Sequence, residues 1–199
     1  MTARAAARLV ALAEDDLALR GELAAAGELF TGGYHPRMAA LHGGNAAELE
    51  AVIAVLGGWP TPAKVGAAAA EAAWLIAQHA IGEPRFQRRC AALVAEAVAR
   101  GEAPPAHLAF LEDRIAVMEG RPQTYGTQFD WDAEGELSPA TVAEPDGVEA
   151  RRRSVGLGSL AERQAELRAR AAAEGDAAPS DWTARQADFL RWAREVGWR

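Results

Sequence analysis

Residues 64–81, KVGAAAAEAAWLIAQHAI, decide the fold class. Apolar side chains run almost all round a helical wheel here, so a helix over Lys64–Ile81 needs neighbours covering every side. Such a helix is the centre of a helical domain, and the flanking sequence supplies the cover. Upstream, residues 3–28 read as an alanine- and leucine-rich helix closed by the turn-forming TGGYHPRM at 31–38. A second helix has Asn45 as its cap and Glu48 three residues on, with Leu49, Val52, Ile53 and Leu56 at i, i+3, i+4 and i+7. GGWPTP at 57–62 stops it through glycine and proline. Downstream, Pro84 suits a first helical position, followed by an apolar stripe of Phe86, Cys90, Leu93, Val94 and Ala97 that ends at Gly101. APPAHLAFLEDRIAVMEG at 103–120 is a further amphipathic helix, with Leu108, Leu111, Ile115 and Met118 on one face.

Beyond Gly120 the pattern changes. QTYGTQFDWDAEGELSPATVAE at 123–144 is rich in Thr, Tyr, Phe, Trp and Val, with Glu134-Gly135 as a turn signal, and predicts a short β-hairpin or ribbon around residues 123–143. PDGVEARRRSVGLGSL predicts a short helix running into a loop, residues 159–173 a polar helix, and EGDAAPSD a linker. Ser180 or Asp181 caps a last helix, in which Trp182, Phe189, Ala193 and Val196 share a face. The expected fold is mainly α: one compact helical domain over 1–199 with a small β insertion and a C-terminal helical extension at about 159–199. Strands and helices do not alternate as a parallel sheet requires.

Composition narrows the function. The chain has 199 residues, 50% hydrophobic and 25% charged, with a formal net charge of −7. That describes an ordinary globular protein with no general attraction to nucleic acid or anionic membranes. Arg151, Arg152 and Arg153 form a local basic cluster, read as a solvated helix surface. Lys64 is the only lysine, which together with the many alanines suggests a GC-rich bacterial genome. A single cysteine, Cys90, excludes an intramolecular disulfide and a multi-cysteine metal site. Glu14, Asp15 and Asp16 interrupt the N-terminal apolar run, so neither a signal peptide nor a membrane span is expected, and the location read is cytoplasmic. His35, His42, His79 and His107 show no HxH, HxxxH or HExxH spacing, so no metal is expected. Gly32-Gly33 and Gly57-Gly58 lack the flanks of a phosphate loop, and no cofactor is expected.

Polar residues at positions that pattern assigns to the interior carry the functional reading. Glu71, Gln78 and His79 interrupt the central helix, and Gln87 sits near the buried side of the next one. Buried polar groups left unpaired cost about 1–3 kcal/mol each, so these residues need partners. In the bland reading, Glu71 pairs with an arginine and His79 bonds a backbone carbonyl. In the sharper one, Gln78 and His79 face a cleft. Arg114, next to Asp113, lies close to a core stripe, where its fork serves either a buried carboxylate such as Glu71 or an anionic substrate group.

In order, GYHPRM, GWP, AAWLIAQHAIGEPRFQRRC, LEDRIAVMEGRPQTYGTQF and RRRSVGL resemble a bacterial domain family of unknown function, over roughly residues 33–160. The positions this resemblance picks out are Trp74, Gln78, His79, Phe86, Gln87, Asp113, Arg114, Gln123, Tyr125, Gly126, Thr127 and Gln128. Many members resemble QHAD where this chain has Ile81 after Ala80, so His79 lacks an acidic neighbour there. The resemblance implies a site without naming a reaction.

Two functional expectations follow, beside a purely structural one in which the glutamines and Asp113–Arg114 only pin the YGTQ ribbon onto the helices. One is a cofactor-independent hydrolase or transferase for a small polar substrate, with His79 as general acid or base, Asp113 orienting it and Arg114 clamping substrate. Trp74, Gln78, Gln87, Gln123, Tyr125, Thr127 and Gln128 would line its cleft. The other is a sensing module in which the glutamine amides read a small molecule or peptide without turnover. Trp192 and Trp198 offer a face for a homodimer, with packing back on the core favoured.

Overall fold

The computed structural model describes residues 2–28 and 33–199, and none of the described helices is long and apolar enough to cross a membrane. The helices are α1 Thr2–Ala25, α2 Pro36–Leu56, α3 Pro62–Val65, α4 Ala67–His79, α5 Pro84–Ala99, α6 Pro105–Met118, α7 Val148–Ser154, α8 Leu160–Glu174 and α9 Trp182–Glu195. Between α6 and α7 lie β1 Phe129–Trp131 and β2 Leu137–Pro139. The protein is mainly α with one small antiparallel hairpin. Two compact units divide it, Met1–Leu108 and Ala109–Arg199, and their boundary falls inside α6.

In the first unit α4 packs against α1, α2, α3 and α5. Ala69, Ala70, Ala72, Ala73 and Ala77 are buried on it, and such short side chains let neighbouring helices come close. Leu9, Leu12, Leu23, Leu49, Ile53 and Ile76 fill the remaining core, each contributing on the order of 1.5–3 kcal/mol.

Two boundaries differ from expectation. The central helix does not run unbroken from Lys64. Gly66 adopts φ 84°, ψ 160°, a conformation open essentially to glycine alone, and separates α3 from α4. Asn45 is not a cap either. α2 begins nine residues earlier, with Pro36 in the first turn and His35 Nδ1 accepting from the Arg37 N–H at 3.2 Å. Gly43-Gly44 lies inside the helix although each glycine costs a helix interior about 1 kcal/mol. Burial of Met38, His42, Asn45 and Ala46 extends the period of Leu49, Val52 and Ile53 upstream and carries the helix through. Asn45 instead donates to the Leu12 carbonyl of α1 at 3.2 Å. α1 ends at Ala25, with Gly27 at φ 70° behind it; Thr31 and Gly32 of the expected turn lie outside the described residues.

In the second unit the hairpin pairs Phe129 with Pro139, Asp130 with Ser138 and Trp131 with Leu137. Gly135, at φ 77°, completes the turn that Glu134-Gly135 signalled. Ser159 opens α8 with a capping box to Glu162. Of the two candidate caps for α9, Asp181 serves, accepting from the Ala184 N–H at 2.8 Å. Trp182 Nε1 donates to the Trp131 carbonyl at 2.9 Å, and Arg185 meets Asp130 at 2.8 Å, tying α9 to β1. Trp198 is buried.

Candidate functional site

Asp16, His42 and His79 come from α1, α2 and the last residue of α4. Asp16 lies in the acidic run EDD, but only its side chain continues the buried face of Leu9, Leu12 and Ala13; Glu14 and Asp15 are exposed. His42 sits seven residues before Leu49 on the inner face of α2. The two imidazoles converge on one carboxylate oxygen. His79 Nδ1 is 2.9 Å from Asp16 Oδ2, and His42 Nε2 is 3.1 Å from the same atom. The second approach is a close contact without an aligned hydrogen bond. The imidazole rings are 5.3 Å apart and tilted by 45°.

Burial pushes the Asp16 carboxyl up, but the contacts and charges of His42 and His79 together outweigh it and hold the group well below the usual carboxylate range. Asp16 is therefore an anion with no exposed surface. Its second oxygen, Oδ1, meets no donor among the described residues. On the far side of His42, the Tyr34 hydroxyl lies 2.5 Å from Nδ1 and fixes the ring. The His79 side chain is 24% exposed against 1% for Asp16 and 9% for His42, so His79 is the member that solvent or substrate can reach.

The other residues expected around α4 hold that helix in place. A helix leaves its last carbonyls without intrahelical donors. Gln87 Nε2 supplies the missing donor twice, to Ala77 O at 2.7 Å and Gln78 O at 3.1 Å, and so fixes the turn that carries His79. Trp74 Nε1 donates to the His107 carbonyl at 3.0 Å and stacks on the His107 ring with centroids 4.4 Å apart. Glu71, expected to pair with an arginine, lies 3.2 Å from His107 Nε2. Burial raises the Cys90 thiol to about 12, leaving it an inert core group.

The second unit gathers Asp113, Gln123, Tyr125, Thr127 and Gln128, and the backbone explains them. Asp113 is fully buried and accepts from three ribbon amides: Thr124 N at 2.7 Å, Tyr125 N at 3.0 Å and Thr127 N at 2.9 Å. Gln123, also fully buried, donates to Gln128 O at 3.0 Å and Ala140 O at 2.8 Å while its Oε1 accepts from Gln128 N at 2.9 Å. Gln128 Nε2 reaches Thr127 Oγ1 at 2.9 Å. Gly126, at φ 68°, passes so close to Leu160 that an added Cβ would stand 2.9 Å from its Cδ1. Burial, then the charges of Glu112 and Asp113, push the Tyr125 phenol up, against a smaller opposing pull from Arg151. Arg114, half-buried on α6, belongs to the same unit.

The arginine cluster departs from the solvated surface expected for it. Arg152 is only 3% exposed and donates to Tyr125 O at 2.8 Å and Gly158 O at 2.6 Å. Arg151 donates to Thr124 O at 2.8 Å and Ala143 O at 2.5 Å. Arg153 alone of the three is exposed. One aspartate thus takes the ribbon's amides and two arginines take its carbonyls.

Orientation of His79 falls to Asp16, which sequence reasoning passed over, as it did His42 and Tyr34. The signal was helical register: Asp16 follows Leu9 and Leu12 at i+7 and i+4, and His42 precedes Leu49 by two turns.

The chain belongs to a family of unknown function (DUF6624), whose model matches residues 5–172. That span includes Asp16, His42, His79 and the whole ribbon. No curated protein and no solved structure matches the chain.

Proposed function

We propose that the protein is a bacterial, cytoplasmic enzyme of the hydrolase or transferase class, acting on a small polar substrate at the Asp16–His42–His79 cluster. The observation that carries this reading is the convergence of two imidazoles on one oxygen of a buried carboxylate. An ordinary packing histidine needs only a carbonyl partner.

Asp16 Oδ2, accepting from His79 Nδ1–H, selects the tautomer in which Nε2 is the basic nitrogen. His79 then takes a proton from water, or from an acceptor hydroxyl, as that oxygen attacks the substrate. The imidazolium formed is stabilised by the Asp16 anion and returns its proton to the leaving group. His42 holds the carboxylate from the other side. Positioned proton transfer of this kind contributes roughly 10²–10⁴-fold in rate. The sensing alternative loses support, because the Nε2 groups of Gln87, Gln123 and Gln128 donate within the chain.

The test is turnover of a panel of small carboxylic esters, amides and phosphate esters, with ligand binding followed in parallel by thermal shift. His79→Gln should lower turnover by about 10²-fold or more while a bound ligand still raises the melting temperature. Turnover that survives His79→Gln, or a ligand that binds wild type and is never converted, defeats this reading.

A further inference from the structure

The same three side chains have the composition of a metal site. We infer that Asp16, His42 and His79 bind one divalent transition-metal ion of borderline softness, zinc or iron(II), with open positions for water or substrate. The inference shares its residues with the proposed function but does not depend on the reaction class.

Two observations carry it. The first is geometry: one carboxylate oxygen and one nitrogen from each imidazole lie within 4.8 Å of one another, inside the core of a helical unit. Bonds of about 2.0–2.1 Å from nitrogen and oxygen to zinc place neighbouring tetrahedral ligands about 3.3 Å apart. The contacts to Asp16 Oδ2, at 2.9 and 3.1 Å, already approach that spacing. The second is unmet bonding capacity. Asp16 Oδ1 and His42 Nε2, both buried, make no hydrogen bond among the described residues. A buried anionic oxygen without a donor is costly, and a cation between the rings and the carboxylate would supply what it lacks.

The donor types choose the ion. Imidazole nitrogen suits zinc and iron, whereas calcium and magnesium prefer shells built from oxygen. Three protein ligands, rather than four, is the count of a reactive site. Tyr34 completes the arrangement from outside. With its hydroxyl 2.5 Å from His42 Nδ1, it can accept the Nδ1–H and leave Nε2 as the ligand. An ion held there would take His79 through Nδ1 and would supply Lewis-acid activation of a bound water.

The experiment uses the full chain, stripped with a chelator, titrated with Zn²⁺ by calorimetry and with Co²⁺ by visible absorption. One ion per chain is expected, with intense d–d bands for Co²⁺. His42→Ala and Asp16→Asn should weaken binding by at least 100-fold, and Tyr34→Phe by about 10–100-fold. Circular dichroism of each variant checks folding. Should Asp16→Asn not fold, His42→Gln and the wild-type Co²⁺ spectrum decide. Substoichiometric binding, or binding that His42→Ala and His79→Ala leave unchanged, overturns the inference. Turnover by chelated wild type, in a protein that binds no metal, overturns it while leaving the proposed enzyme intact. Stoichiometric binding without turnover upholds the metal site and removes the enzyme instead.

Discussion

Asp16 and Asp113 are both fully buried aspartates on helices, yet they do different things. Asp113 is saturated by backbone amides of Thr124, Tyr125 and Thr127. Those donors are neutral, fixed in place and unable to bind anything else. Asp16 faces two imidazoles, which can gain or lose protons and ligate metals, and one of its oxygens is left over. Burial alone therefore says little about whether a carboxylate is structural or reactive. The chemistry of its donors, and whether they exhaust its lone pairs, separates the two.

The sharpest way to break this comparison is to neutralise each aspartate with its amide. Asp113→Asn puts an NH₂ group where ribbon amides require acceptors, and stability should fall by about 3 kcal/mol, read as a lower urea midpoint. An unchanged midpoint would remove Asp113's holding role. Gly126→Ala should follow with a loss of about 1–2 kcal/mol, since φ 68° is a left-handed conformation and Leu160 must also shift. A loss below the error of the unfolding measurement would show that the ribbon can rearrange. Asp16→Asn should also cost stability, but less than Asp113→Asn, because it weakens one hydrogen bond, from His79 Nδ1, where Asp113 loses three amide partners, and its Oδ1 has no donor to lose. Its effect belongs in turnover and metal affinity, and an Asp16→Asn protein as unstable as Asp113→Asn would erase the distinction.

A third aspartate, half-buried at the hairpin turn, sets the scale. Asp132 accepts from the Ser138 hydroxyl and from the Glu136 and Glu134 amides, and these bonds hold its carboxyl below the ordinary range. A folded value below the unfolded one adds stability that is present above the unfolded value and lost as pH falls through the folded one. The hairpin should therefore loosen only in acid below the usual aspartate midpoint, and Asp132→Asn should abolish that step. Amide NMR across an acid titration reads it, and a midpoint at or above the ordinary value would refute it.

Much of this architecture was legible because it rests on local signals. The Phe86–Cys90–Val94–Ala97 stripe, the Glu134-Gly135 turn and the Asp181 cap are each written within a few residues. The Asn45 cap and the unbroken Lys64–Ile81 helix missed in opposite directions, since tertiary packing carried α2 upstream through Gly43-Gly44 while the backbone conformation of Gly66 broke the other helix. The candidate site was half legible. His79 and Asp113 stood out as polar residues at interior positions, but pairing them assumed that a histidine's carboxylate would come from the most conspicuous motif. The partner instead came from 63 residues upstream, hidden in an acidic run that reads as surface until its helical phase is counted.

The clamp on the ribbon has a last consequence, for where its shape is encoded. Thr124 to Gln128 owe their path largely to Asp113, upstream on α6, and to Arg151 and Arg152, downstream on α7. The motif's own letters, Gly126 apart, describe what fits inside the loop rather than what bends it. A peptide cut from residues 120–143 would carry the signature and lose the form. Grafted onto another scaffold, the loop would need both anchors moved with it.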